Sequence, residues 1–140
     1  MRRMLFVGLL GLLSAGFVQS KPEPYRVAFD LTSRDTLEQK AVLRWLQEVG
    51  TSSPGAKMEV VMYGKGFELV MPERSSYIAE VKDAMKNPNV SFKVCAIALK
   101  NNNIEKSQLL PGVETVPDGI YELVLRQQQH WGYIKVSTSR

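Results

Sequence analysis

Lys57-Met58-Glu59-Val60-Val61-Met62-Tyr63-Gly64-Lys65-Gly66 is the stretch that decides the fold. Seven residues of mostly apolar, β-favouring type run straight into a turn with two glycines. A run apolar at successive positions, rather than at alternate ones, predicts a strand covered on both faces, the condition of a parallel sheet between helices. The turn then marks the carboxyl end of that strand, where such sheets gather their ligands and reacting groups.

Working outward, the same alternation repeats. Tyr25 to Leu31 reads as a first strand, preceded by Pro22 and Pro24, which hold the linker extended. Thr32 and Asp35 form a cap-like pair opening a helix that Gly50 ends, with Leu37, Ala41, Trp45 and Val49 at i+4 spacing and Leu46 on the same face. Ser76 to Lys86 is a second helix, carrying Ile78, Val81 and Met85 on one side and stopped by Asn87-Pro88. Val90 to Cys95 is a third strand, followed by a helix from Ala96 to about Asn102. Val113 to Val116 gives a short fourth strand, and Asp118 caps a last helix in which Ile120, Leu123, Val124 and Gln127 share a face. Trp131 to Val136 is the fifth strand. Strand-helix alternation of this kind predicts a single α/β domain with a mainly parallel sheet of about five strands, right-handed crossovers and no internal repeat.

Residues 1–20 differ in kind. Arg2 and Arg3 are followed by an uncharged run from Leu5 to Val18. That run is shorter than the roughly 20 apolar residues a spanning helix needs. With Val18-Gln19-Ser20 before Lys21, the segment predicts a cleaved export signal, a periplasmic or secreted location, and a domain over residues 21–140 with no membrane span of its own. The formal charge of +4 shrinks accordingly: two of the 18 basic residues lie in this segment, whereas all 14 acids lie beyond it. The remaining bases are scattered among acids, and no aromatic platform alternates with them, which argues against nucleic-acid binding.

Candidate chemistry is sparse. Cys95 is the only cysteine, so an internal disulfide is impossible; in an exported protein it is a buried inert residue, an intermolecular bridge or a reactive thiol. At a strand end and helix start it would face backbone N–H groups that favour a thiolate. Its neighbours Val94, Ala96 and Ile97 equally suit a packed core position. Gly64-Lys65-Gly66 reads as a tight turn at the edge of a possible site, too short for a dinucleotide or P-loop fingerprint. His130 is the only histidine and lies far from Cys95 in sequence. One cysteine and one histidine offer no metal ligand set. Asp30, ending the first strand, is a site-edge carboxylate or a solvated, turn-capping one.

The runs Phe92-Lys93-Val94-Cys95-Ala96-Ile97-Ala98-Leu99, Leu110-Pro111-Gly112-Val113, Val116-Pro117-Asp118-Gly119 with Glu122-Leu123, and Gln127 to Lys135 together resemble the DsrE/DsrF-like family. Val60 to Gly66 with Glu68-Leu69 fits its second strand and glycine turn. The resemblance spans about Arg26 to Lys135. It implies a compact three-layer α/β fold, assembly as trimers or hexamers, and a sulfur-relay role without cofactor. In that role Cys95 accepts sulfane sulfur as a persulfide or forms a mixed disulfide with a partner thiol. The alternative from the residues alone is a non-catalytic oligomeric binding or assembly module with Cys95 in its core.

Overall fold

The computed structural model describes residues 23–138. The segment expected to be an export signal lies outside the described residues. Five strands, β1 (Arg26–Leu31), β2 (Lys57–Met62), β3 (Val90–Cys95), β4 (Glu114–Val116) and β5 (Gly132–Lys135), alternate with four helices. These are α1 (Thr36–Ser52), α2 (Ile78–Ala84), α3 (Ala96–Asn101) and α4 (Gly119–Gln128). All strand pairs are parallel, in the order β4-β3-β2-β1-β5. The α/β domain with a parallel sheet that the alternation predicts is therefore present, in the three layers that the resemblance implies.

Strand order fixes which helix covers which face. From β1 to β4 the chain steps in one direction, so right-handed crossovers put α1, α2 and α3 on one side. The last crossover returns from one edge of the sheet to the other, which places α4 alone on the opposite side. Alternate strand residues sort between these faces. Val27, Phe29, Leu31, Met58, Val60, Met62, Phe92 and Val94 join Val42 and Leu46 of α1, Val81 of α2 and Leu99 of α3 in one apolar cluster. On the α4 side the apolar cluster is only Ala28, Val61 and Leu123, with Tyr63 packed against it.

Helix boundaries follow capping chemistry. Asp35 caps α1 by accepting from the Leu37 amide, and Asp118 caps α4 by accepting from the amides of Ile120 and Tyr121. α1 continues two residues past Gly50 to Ser52. α2 is shorter than the sequence suggests, because Ser75 accepts from the Tyr77 amide and holds a turn where the helix was expected to begin. Two helix faces are less buried than their apolar spacing predicts. Leu37 is 56% exposed, and the buried stripe of α1 is Gln39, Ala41, Val42 and Leu46. Ile120 and Val124 of α4 are likewise exposed, for a reason the site makes plain.

Candidate functional site

The carboxyl edge of the sheet brings together the ends of β1, β2 and β3, the start of α4 and the side chains of β5. The Gly64–Gly66 turn stands there, as expected, and leads into a 3-10 turn at Gly66–Val70. Packing, not anion chemistry, accounts for its glycines. Gly64 has φ +57, and a Cβ on Gly66 would sit 2.0 Å from the Leu31 carbonyl oxygen. The amides of Lys65 and Gly66 donate to the carbonyls of Thr32 and Tyr63. The Lys65 ammonium donates to Asn102 Oδ1, tying the turn to the end of α3.

Cys95 ends β3 and forms the N-cap residue of α3, with φ −65 and ψ 120. It is 5% exposed and touches the main apolar cluster. Its Cβ points under the first residue of α4: a Cβ built on Gly119 would lie 3.2 Å from Cys95 Cβ and 3.4 Å from both Cβ and Cδ1 of Tyr63. Cys95 and Tyr63 thus lie side by side beneath the start of α4.

Asp30 is neither solvated nor a turn cap. It is 3% exposed and gathers three side-chain donors. Tyr133 Oη and Tyr63 Oη donate to its Oδ2 at 2.6 and 3.2 Å, and Lys135 Nζ donates to Oδ1 at 3.1 Å. Lys135 also donates to Thr32 Oγ1 at 2.8 Å and stands 5.6 Å from the centre of the Tyr63 ring. Burial, with the Asp30 charge second, pushes the Tyr63 phenol up to about 12. The hydrogen bond to Asp30, followed by burial, pushes Tyr133 to about 12 as well. Both hydroxyls therefore remain protonated donors at neutral pH.

A second polar group lies further along the same face. Glu59 of β2 and Lys93 of β3 meet Glu122 and Arg126 of α4 in a square of alternating charge. Glu59 Oε2 is 3.1 Å from Lys93 Nζ and 2.9 Å from an Arg126 Nη, while Glu122 Oε1 is 3.0 and 2.9 Å from the same two groups. Burial raises the Glu59 carboxyl above its ordinary range despite Arg126 and Lys93. For Glu122 burial pulls upward, but hydrogen bonds from Lys93 and from the Glu59 carboxyl, with the positive charges of Lys93 and Arg126, bring it below. Glu59 Oε1 and Arg126 Nε are buried without hydrogen-bond partners among the described residues. The guanidinium also lies 4.8 Å from the Trp131 ring centre.

Sequence reasoning missed this square. A signal existed: one acid inside the apolar run of β2, one base between Phe92 and Val94 of β3, and an i,i+4 acid-base pair on α4. His130, by contrast, is exposed, with φ +62, between the end of α4 and the start of β5. That is the amino edge of the sheet, opposite Cys95, so the fold does not bring the two together. Among the described residues no cluster of three His, Cys, Asp or Glu is placed to hold a metal, and no helix is long and apolar enough to cross a membrane.

No protein-family model matches the chain, and no curated protein matches it. A solved structure of a protein of unknown function from Methanobacterium thermoautotrophicum is similar, with a TM-score of 0.74 and 26% sequence identity. The match covers 79% of this chain and 98% of that one.

Proposed function

We propose that this protein is an exported, oligomeric carrier of sulfane sulfur of the DsrE/F-like kind, working through Cys95 in the periplasm or outside the cell. The observation that carries the reading is the position of Cys95: the one cysteine of the chain stands at the carboxyl edge of a parallel sheet, beside Tyr63 and under the first residue of α4. The Cys95 thiolate attacks the outer sulfur of a donor persulfide. The donor S–S bond breaks, a new S–S bond forms on Cys95, and the donor leaves as a thiolate. An acceptor thiolate then attacks the outer sulfur and returns Cys95 to its starting state. No metal, organic cofactor or external electron acceptor takes part.

Intact-mass spectrometry after incubation with a sulfane donor tests the reading. The expected result is a gain of one sulfur that vanishes in Cys95→Ser; an unmodified mass in a protein whose thiol is open to alkylation overturns it. The same spectrum reports removal of residues 1–20.

The burial of Cys95 within the main apolar cluster favours a second reading, a non-catalytic oligomeric module in which the thiol is core filling. Ile120, Tyr121 and Val124, exposed along α4, would then serve assembly. Unchanged partner binding and unchanged oligomer size in Cys95→Ser, with no sulfur uptake by the parent protein, would support it.

A further inference from the structure

α4 is held to the sheet in an unusual way for a ten-residue helix. Its buried residues are Gly119, Glu122 and Leu123. Leu123 is thus its one buried large apolar side chain, resting on Ala28 and Val61. A single leucine is far less than a short helix needs to stay ordered and docked. Tyr63 packs against the same small cluster, and the rest of the attachment is dominated by the charge square, in which Glu122 pairs with Lys93 of the sheet at 3.0 Å and Arg126 with Glu59 at 2.9 Å, while the Glu122–Arg126 pair lies within the helix. Gly119, one turn before Glu122, is the residue packed onto Cys95.

We infer that α4 is a charge-latched cover over Cys95. Closure of the Glu59–Lys93–Glu122–Arg126 square keeps the first turns of the helix down; its release lifts them and presents the thiol, without disturbing the apolar face of the sheet. Two features make the latch act as a unit. Every charge in the square contacts both opposite charges, so losing one weakens all the contacts together. Glu59 Oε1 and Arg126 Nε have no hydrogen-bond partner among the described residues in the closed state, and opening returns both to water, which lowers the cost of release. Cys95 stands at the margin of the main cluster, whose helix residues all come from α1, α2 and α3, so the rest of it stays intact while α4 moves. The inference bears on regulation of the proposed sulfur site, but whether the cover opens does not depend on what the thiol then does.

The test uses the full chain and reads thiol access directly. In the parent protein, Cys95 alkylation under native conditions should show the same opening equilibrium as amide exchange at Leu123 and Val124, and both should far exceed the exchange of β2 amides. Alkylation that tracks the β2 amides instead, requiring global unfolding, overturns the inference without any variant being made. Glu122→Gln should raise the alkylation rate roughly tenfold or more while β2 exchange changes little. Replacing all four charges together by Leu or Met should restore protection, because an apolar contact of similar volume needs no charge balance. A rate unchanged in a folded Glu122→Gln overturns the inference, as does an equal rise in Asp83→Asn, which breaks only the exposed pair that Asp83 of α2 makes with Lys86 just beyond it. Sulfur uptake, measured separately, decides the carrier reading: a working latch with no persulfide refutes the carrier and leaves the latch standing.

Discussion

The two faces of the sheet are built by opposite means. Toward α1, α2 and α3, the rows Val27–Met58–Val90, Phe29–Val60–Phe92 and Leu31–Met62–Val94 are apolar without exception, and Phe29 stacks on Trp45 at 6.3 Å. Toward α4, the equivalent rows read Tyr133–Ala28–Glu59–Ser91 and Lys135–Asp30–Val61–Lys93. The first face is stabilised by area removed from water, which is insensitive to any one partner's charge. The second depends on pairing, and pairing fails all at once when a partner is removed. The difference teaches where this fold is rigid and where it can open: the polar face carries Tyr63 at its carboxyl edge, with Cys95 beside it at the margin of the main apolar cluster.

The largest expected effect belongs to the apolar face. Phe29→Ala should lose about 3–5 kcal/mol in urea unfolding, the ordinary cost of emptying a fully buried aromatic site. A loss no larger than that of a surface substitution would erase the contrast. Next comes Lys93→Met, which leaves Glu59 and Glu122 facing each other and should cost about 3 kcal/mol. If Lys93→Met proves neutral, the square contributes no more than exposed ion pairs do, and the polar face loses its distinct character.

Asp30→Asn should cost about 1–3 kcal/mol, since the Lys135 ammonium and two hydroxyls lose a charged acceptor. Amide exchange should rise first in β5, whose four residues are all exposed; a uniform rise across all strands would contradict a local role. The mildest probe is alkaline titration. Tyr63 and Tyr133 ionise near 12 in the folded protein and near 10 in the unfolded chain. Their contribution to stability is therefore complete below pH 10 and is lost as the pH rises to about 12, because the unfolded state gives up protons first. Ultraviolet difference spectra should show two late-ionising phenols among the five tyrosines, and in Asp30→Asn Tyr133 should fall back the further of the two, while burial keeps Tyr63 raised in part.

Much of the architecture was legible because it is local. The apolar run of β2, the Asp118 cap and the strand-end position of Cys95 all follow from neighbours within one element, whereas the pairing of Thr32 with Asp35 gives way to Asp35 alone as the cap of a helix that starts at Thr36. The charge square was not, since Glu59, Lys93 and Glu122 come from three elements separated by dozens of residues, and each taken alone resembles a solvated charge. The same distance explains the misplaced face of α4. Ile120 and Val124 share a helical stripe with Leu123, but the sheet beneath presents Glu59 and Lys93, so the helix turns Glu122 inward and leaves them outside. Asp30 escaped for a related reason: two of its three side-chain donors, Tyr133 and Lys135, lie more than 100 residues away.

That last pairing has a consequence for how the chain assembles. Among the described residues β5 is the last strand in sequence and lies beside β1, the first, so a fragment that stops short of β5 lacks one edge of the sheet. Bringing these ends together closes the longest loop in the molecule, an entropic cost met only after the intervening strands are in place. A chain still being synthesised therefore carries an open β1 edge and an Asp30 without Tyr133 or Lys135. The arrival of the last strand is what closes that edge.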